Sequence, residues 1–497
     1  MTMSMSEPTF FWHDYETFGR VPRRDRPAQF AGVRTDAQLQ EVGAPVMWHC
    51  QPAPDTLPDP ESVLLTGILP QHALQHGLPE HAFAAHIEAE LARDGTIGVG
   101  YNSIRFDDEV TRHLFWRNLI DPSAREWQNG CGRWDLMDTV RCTWALRPEG
   151  ITWPTHAADH AQPEMRGRPS FRLEQLTVAN GLAHEAAHDA LSDVRATLAL
   201  ARLIKTRQPR LWDFCLRLRK KDAVLAEIGH GKPFVHLSGM YAVERGCLAV
   251  VWPLAQHPSN KNEIIVWDLA HDPRELAGLD AETVRRRLYT RQADLPEGEQ
   301  RLPIKTIHIN KSPVVIGNLR TLGPAAGRWA LDVDAALRHA GHAAALSRSL
   351  DPLWPIVFTR PAAAAAPDVD EDLYGGFIGN EDRRTLQRLR GLKPEQLATQ
   401  RVAFSDARLE ELLFRYRARN FPTTLDEAEQ ERWQQHRVAR LHQGGGEGGG
   451  GGGGLTLAAF LEQVDTLAEA AIEAGDERGQ TILEALVDYA QGIAPAP

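Results

Sequence analysis

The sequence predicts an α/β fold in its first part, followed by a β-rich region and then an all-α region. Three observations lead to this prediction. Short β-branched and aromatic runs alternate with helical periodicity up to about residue 205, short apolar segments interrupted by Pro and Gly come next, and amphipathic helical patterns fill the remainder. Because 497 residues are too many for one ordinary hydrophobic core, we expect two or three domains.

The first predicted domain covers residues 1–205. Three strands are predicted at 10–13, 29–35 and 46–50, followed by a helix near 82–92, a strand at 96–100 and a helix that opens at Asp107. This β-β-β-α-β-α order is that of a ribonuclease H-like sheet, which is a mixed sheet with flanking helices.

Two further domains are predicted, at 208–360 and 367–497. The first contains short β segments at 234–237, 248–252, 263–268 and 304–309. A linker rich in Pro and Ala precedes the second, whose helical patterns lie at 383–390, 407–417, 425–441, 455–474 and 481–490. Gly444–Gly454 is almost pure glycine, which cannot bury apolar surface, so we expect a flexible loop there and assign it no function.

The composition excludes several classes of protein. A net charge of −11 argues against a protein that coats nucleic acid indiscriminately, although it leaves room for local basic grooves. No apolar run approaches the ~20 residues of a membrane helix, and the polar N-terminus does not resemble a signal peptide. Five cysteines without paired spacing favour a reduced, cytoplasmic protein.

The most informative residues are Asp14 and Glu16, which come at the end of an aromatic, strand-forming run. Residues two apart on a strand project from the same face, so the two carboxylates would lie side by side. Like charges at that distance repel unless a cation lies between them, and hard divalent ions prefer such oxygen ligands. An Asp-x-Glu motif also arises by chance in an acidic chain, so its interpretation depends on whether further carboxylates join it.

Two further carboxylates lie in suggestive positions. Asp107 opens a helix just after the 96–100 strand, near the edge of the sheet where ligands often collect. Later, His188 directly precedes a predicted helix whose first turn carries Asp193. Acids in a first helical turn also stabilise the helix dipole, which is the better account of Asp108 and Glu109.

This set of residues fits the hydrolysis of a phosphodiester bond. Four carboxylates can hold two Mg²⁺ or Mn²⁺ ions about 3.5–4 Å apart, where they stabilise the attacking and the leaving oxygen. A histidine with a pKa near neutrality can take the proton from the attacking water. No Ser-His-Asp arrangement, Walker loop or zinc-finger spacing offers a competing interpretation.

The chain resembles the DEDD exonuclease superfamily in its histidine-bearing branch, and within it the bacterial exonuclease I family. The resemblance runs nearly end to end. The segments that carry it are 13–19 (HDYETFG), 25–30 (DRPAQF), 100–102 (GYN), 105–110 (RFDDEV), 133–136 (RWDL), 145–150 (ALRPEG), 170–174 (SFRLE), 308–311 (HINK) and 416–422 (YRARNFP).

The resemblance implies a ribonuclease H-like exonuclease domain, an SH3-like domain and a C-terminal helical domain. It implies that Asp14, Glu16, Asp107 and Asp193 are metal ligands and that His188 is the general base. It further implies 3′→5′ release of nucleoside 5′-monophosphates from single-stranded DNA in DNA repair and recombination, and a monomeric enzyme. DNA contacts are expected at Thr17, Asn102 and Phe106. Arg147 is the candidate contact for the acidic C-terminal tail of single-stranded DNA-binding protein, with an exposed loop arginine as the alternative.

Two basic segments could also contact a strand. Eight of the nine charged residues within 202–221 are cationic, which favours either a solvated face or contact with phosphates. Arg417 and Arg419 lie among aromatic residues, a combination that grips single strands through phosphate contacts and base stacking. For this second segment, an amphipathic helix end packed on its neighbour is an equal alternative.

Two alternative functions remain at this point. One is a 3′→5′ exoribonuclease of the same superfamily, because the metal chemistry does not depend on the 2′-hydroxyl. The other is a non-catalytic protein that binds single strands. Retention of all four carboxylates and the histidine argues against the second, and the long C-terminal region argues against the first.

Overall fold

The computed structural model describes residues 8–157, 162–182, 189–359, 367–444 and 454–495. In the first region the strands are β1 (Thr9–Thr17), β2 (Pro27–Thr35), β3 (Val46–His49), β4 (Thr96–Gly100) and β5 (Gly132–Asp135). The helices are α1 (Pro60–Thr66), α2 (Pro70–His76), α3 (Glu80–Leu91), α4 (Asp107–Arg117), α5 (Leu136–Leu146), α6 (Leu173–Ala179) and α7 (Ala190–Arg207).

The middle region is β-rich with attached helices. Its strands are β6 (Phe234–Leu237), β7 (Leu248–Gln256), β8 (Glu263–Asp268), β9 (Ile304–His308) and β10 (Val314–Ile316). Its helices are α8 (Pro209–Arg217), α9 (Lys221–Ile228), α10 (Ala281–Tyr289), α11 (Pro324–Arg328), α12 (Val333–Leu350) and α13 (Trp354–Val357). The strands pair antiparallel in the order β10-β6-β7-β8-β9, which gives one core with the apolar face of α9.

The last region is entirely helical where the structure describes it. Its helices are α14 (Asn380–Arg390), α15 (Pro394–Ala398), α16 (Arg408–Asn420), α17 (Glu427–Gln443), α18 (Leu457–Ala474) and α19 (Glu477–Ile493). The fold class predicted from the sequence is therefore confirmed. Among the described residues, no helix has the length and apolarity needed to cross a bilayer. The predicted linker at 361–366 and nearly all of the glycine tract lie outside the described residues.

The chain divides into two compact units. One combines Met1–Gly132, Glu185–Arg195 and Ala363–Pro497, and the other combines Arg133–His184 and Ala196–Ala362. Every candidate carboxylate belongs to the first unit. Helix α7 begins in the first unit and continues in the second, with Asp193 in the portion that belongs to the first.

The sheet of the first unit positions the candidate site. Four strands pair in the order β3-β2-β1-β4, with β1 antiparallel to β2 and parallel to β4, so the sheet is mixed as predicted. On one face of β1, Phe11 and Tyr15 pack with Phe30 of β2 against α3 and α4. Because side chains alternate along a strand, Asp14 and Glu16 project from the opposite face.

Candidate active site

Strand β1 continues through both acidic residues instead of ending before them. It reaches Thr17, with an irregularity in its pairing to β2 between Glu16 and Thr17. Asp14 is half-buried, and Glu16 is only 8% exposed. Both acidic residues therefore belong to the sheet, and pairing with β2 holds their backbone in place at the candidate site.

The first turn of α7 brings a third carboxylate to this pair. One oxygen each from Asp14, Glu16 and Asp193 lies within 4.8 Å of the other two. The turn is ordered by Asp189, whose carboxylate accepts a hydrogen bond from the Ser192 N–H at 3.1 Å and whose carbonyl accepts one from the Asp193 N–H at 3.0 Å. Residues of β1 and α7, which are far apart in the sequence, therefore meet at this cluster.

The fourth carboxylate, Asp107, is held by the backbone of β1. β4 ends at Gly100, and Asp107 follows it in the chain. The Tyr15 N–H donates a hydrogen bond to Asp107 Oδ1 at 3.2 Å. Asp107 is 3% exposed, and its charge is one of those that raise the pKa of Asp14. This backbone contact places Asp107 beside the two acidic residues that flank Tyr15.

The electrostatics of the cluster favour binding of a cation. Burial, followed by the charges of Asp107, Glu16 and Asp193, raises the pKa of Asp14 well above its ordinary value. Burial, Asp193 and Asp189 raise the pKa of Glu16 to about 8. Removal from water and mutual repulsion both disfavour the ionised carboxylates. A divalent cation would reverse both effects, and the all-oxygen donor set suits a hard ion.

The neighbouring acids have structural roles. Asp108 is buried and paired with the buried Arg125 at 2.5 Å, and Glu109 is paired with Arg112 at 2.9 Å. The sequence interpretation of these two as ordinary first-turn residues thus agrees with the structure. Asp189 also acts on the cluster, because its charge raises the pKa of Glu16. Its place directly before the helix that carries Asp193 was the available signal.

The candidate DNA contacts lie close to the carboxylates in the sequence. Thr17 ends β1, and its hydroxyl donates to the Gly19 carbonyl at 2.5 Å. Asn102 has a positive φ of 62°, a conformation that Asn adopts more readily than most residues and that turns the chain after β4. Phe106 precedes α4 and is half-buried against the core of the first unit. His188 lies outside the described residues.

Arg417 and Arg419, which are predicted as DNA contacts, are paired with carboxylates of the same chain. The Arg417 guanidinium is buried and paired with Glu429 at 2.6 Å. Arg419 is paired with Asp55 at 2.7 Å and with Asp370, and both of these carboxylates are fully buried. Because carboxylates of this chain already neutralise both guanidinium groups, the packed-helix alternative describes them better than strand binding does.

A buried ion-pair cluster surrounds Arg419. Asp370 also lies near the side chains of Arg26, Arg415 and Arg440, at 3.3–3.4 Å. Arg419, Arg415 and Arg26 hold the pKa of Asp370 well below its usual range in spite of its burial. Arg147 is half-buried elsewhere, and its guanidinium donates to the carbonyls of Leu146 and Thr321.

The geometry invites comparison with known proteins. Residues 11–201 match the family model for exonucleases, 219–360 match that of the exonuclease I SH3-like domain, and 367–493 match that of the exonuclease I C-terminal domain. The chain is 45% identical over 440 residues to exodeoxyribonuclease I of Escherichia coli K12, an alignment that covers 88% of this chain and 90% of that protein. The chain belongs to the exonuclease I family.

Solved structures of the exonuclease I family extend the similarity to the fold. Exonuclease I from Methylocaldum szegediense is 46% identical, with a TM-score of 0.88 over 98% of this chain and 99% of that one. The zinc-bound form of the E. coli exonuclease I complex with single-stranded DNA is 42% identical, with a TM-score of 0.88 over 98% of this chain and 100% of that one. The predicted resemblance is thereby confirmed.

Proposed function

We propose that this member of the exonuclease I family removes nucleotides one at a time from the 3′ end of single-stranded DNA, releasing nucleoside 5′-monophosphates. The observation that carries the proposal is the cluster of Asp14, Glu16 and Asp193, whose oxygens lie within 4.8 Å of one another. The cluster occurs in a chain that is similar over most of its length to exodeoxyribonuclease I. The exonuclease domain is proposed to cover 1–205, followed by domains at 208–360 and 367–497.

Asp14, Glu16, Asp107 and Asp193 are the proposed ligands of two Mg²⁺ ions, for which Mn²⁺ can substitute. Such ions, when bound, supply Lewis acidity at the attacking and leaving oxygens of an in-line displacement. The chain contributes rigidity: β1 fixes Asp14 and Glu16, the Tyr15 N–H fixes Asp107, and the capped first turn of α7 fixes Asp193. Because the ligands are pre-positioned, little ordering is required when the ions bind.

His188 is the proposed general base. It directly precedes Asp189, the residue that caps the helix carrying Asp193. In this role an imidazole nitrogen of His188 accepts the proton of the attacking water, which requires a neutral ring. The chemistry therefore combines metal ligands from the sheet and from two helices with a proton acceptor from the segment that leads into α7.

Thr17, Asn102 and Phe106 are the proposed contacts to the 3′-terminal nucleotides. Phe106 directly precedes the ligand Asp107, so its ring could stack on a base while the adjacent phosphate reaches the carboxylates. Thr17 and Asn102 offer hydrogen-bonding groups to the same nucleotides. Arg417 and Arg419 are left out of this set because their charges are already paired within the protein.

Further proposals concern the partners and the setting of the enzyme. Arg147 is the proposed contact for the acidic tail of single-stranded DNA-binding protein, because a guanidinium recognises carboxylates well. We also propose that the protein acts as a monomer in the cytoplasm. A fluorescent tail peptide that binds the Arg147→Ala variant as tightly as the unaltered chain would refute the role of Arg147.

A labelled-strand assay tests the activity. A 5′-labelled single-stranded DNA oligomer is incubated with Mg²⁺ beside its RNA counterpart, its duplex and a strand with a blocked 3′ end. We expect progressive shortening of the free DNA strand alone. Trimming of the RNA would instead favour an exoribonuclease, and binding without shortening would favour a non-catalytic single-strand binder.

Matched variants test the metal ligands. Asp14→Ala and Asp193→Ala should abolish cleavage while strand binding in a chelator stays largely intact, because each change removes one metal ligand. Asp94→Ala, which alters an exposed aspartate before β4, serves as the control and should cleave normally. Appreciable turnover by Asp14→Ala would contradict the ligand assignment.

A further inference from the structure

Gln29 on β2 connects the sheet to the helix that carries Asp193. It is 5% exposed and lies in register opposite Glu16. Its Oε1 accepts a hydrogen bond from the backbone N–H of Ala190 at 3.1 Å. Ala190 is the first residue of α7 and precedes Asp193 by three positions. Gln29, which is paired with the proposed ligand Glu16, thus bonds to the helical turn that carries the proposed ligand Asp193.

The orientation of the Gln29 amide is set by its partners. A backbone N–H can only donate, so the atom that faces Ala190 must be the amide oxygen. The amide nitrogen therefore faces the other way, toward His49 Nε2 at 3.3 Å and Met47 Sδ at 3.5 Å. His49 Nε2 must accept in this contact, so the ring is neutral and carries its proton on Nδ1.

The surroundings of His49 favour this neutral form. Its ring centroid lies 5.0 Å from that of His72, which in turn lies 4.7 Å from that of His76. Partial burial, followed by the two neighbouring histidines, lowers the pKa of His49, and Asp189 opposes this effect. The acceptor nitrogen of His49 therefore keeps the Gln29 amide in the orientation that presents oxygen to Ala190.

We propose that Gln29 is a positioning residue of the carboxylate cluster, holding the first turn of α7 against the sheet so that Asp193 stays within ligand distance of Asp14 and Glu16. The inference rests on the proposed function, because it takes Asp193 to be a metal ligand. The N–H groups of a first helical turn have no partner within the helix, so this end of a helix frays unless other groups bind it. Gln29 supplies such a partner from β2.

The test compares Gln29→Met, Gln29→Glu and a control in the full-length protein. Methionine keeps the length of the side chain and removes both hydrogen bonds. Glutamate keeps an acceptor oxygen for Ala190 and removes the donor to His49. The control is Gln51→Met, which removes a similar bond from a side-chain amide to the carbonyl of Leu74 on α2. Mn²⁺ affinity is measured from the spin resonance of the free ion, amide exchange at Ala190 by mass spectrometry, and strand binding in a chelator.

For Gln29→Met we expect Mn²⁺ affinity to fall about 10–100-fold, as for other losses of groups that orient metal ligands. Amide exchange at Ala190 should accelerate roughly tenfold on loss of its acceptor, while strand binding in the chelator stays unchanged. Gln29→Glu should retain slow exchange at Ala190, which would show that the acceptor oxygen matters, and the carboxylate it adds opposite Glu16 should not lower Mn²⁺ affinity. A protein that is merely destabilised would lose strand binding as well.

Two results would overturn the proposal. One is a Gln29→Met variant whose Mn²⁺ affinity equals that of Gln51→Met, and the other is equal loss of affinity in Gln29→Met and Gln29→Glu. Failure of the underlying function has a separate signature, which is undiminished cleavage by Asp14→Ala. If Asp14→Ala loses cleavage and Gln29→Met keeps its metal affinity, only the positioning role of Gln29 fails.

Discussion

Replacing Glu16 by glutamine should stabilise the metal-free protein while abolishing cleavage. Burial and the charges of Asp193 and Asp189 raise the pKa of Glu16 from 4.5 to about 8. A carboxyl whose pKa is raised on folding holds its proton more tightly in the folded state. Its contribution to stability is therefore complete below pH 4.5 and is lost as the pH rises toward 8.

The size of the effect can be worked out from the two pKa values. At pH 7 the unfolded carboxyl would be ionised, whereas the folded carboxyl remains largely protonated. Holding this proton lowers the free energy of unfolding by about 3 kcal/mol, at 1.36 kcal/mol per pH unit. Glutamine cannot ionise and avoids this cost. With an unfolding entropy of ~2.1 cal/mol/K per residue for all 497 residues, the thermal midpoint should rise by about 3 °C.

Thermal unfolding in a chelator, monitored at several pH values between 5 and 8, measures this effect. The midpoint of the unaltered chain should fall across this range faster than that of Glu16→Gln, and an exposed control on α18, Glu462→Gln, should behave like the unaltered chain. Addition of Mg²⁺ should reverse the order, because a ligand stabilises the state that binds it. A Glu16→Gln midpoint no higher than that of the unaltered chain at pH 8 would refute the reasoning.

Three further predictions concern other parts of the chain. His188→Ala should slow the chemical step by about 10²–10⁴-fold at neutral pH in single-turnover assays, and unchanged turnover would exclude a general base at this position. Arg419→Met should cost about 3–5 kcal/mol in thermal unfolding, because it leaves the buried Asp55 without its closest counterion. The exposed Arg432→Met should cost at most ~1 kcal/mol, and strand binding below the unfolding temperature should survive both changes. Replacing Gly444–Gly454 by a short linker should leave cleavage rates nearly unchanged, and a large loss would show that this segment contacts DNA or shapes its path.

The sequence predicts the fold well where one periodicity dominates. The strands at 96–100, 234–237 and 263–268 have the predicted bounds, because turn-forming residues flank each short apolar run. Strand β1 is longer than predicted, since Asp14 and Glu16 are unfavourable in isolated strands and only the paired β2 and the contact to Asp107 sustain them. Tertiary pairing overrides local propensity there.

The candidate site could be predicted only in part, for a similar reason. Alternation along β1 is enough to place Asp14 and Glu16 on one face, but no local pattern links Gln29 to Ala190, which lies 161 residues away. Arg419 shows the opposite problem. Its aromatic neighbours resemble a nucleic-acid surface, and its partner Asp55 is 364 residues away in the sequence. The residue type determines which groups a side chain can bind, whereas the fold determines which of those groups lie within its reach.

The buried ion pairs around Asp370 have a consequence for how this protein could have been assembled or divided in evolution. Arg26 and Asp55 come from the N-terminal part of the chain, and Arg415, Arg419 and Arg440 come from the last helical region. A gene that encoded the N-terminal segment alone would leave Asp55 without Arg419, its closest counterion. The exonuclease segment and the last helices are therefore expected to be inherited together, and recombination between them would be selected against even where the reading frame is preserved.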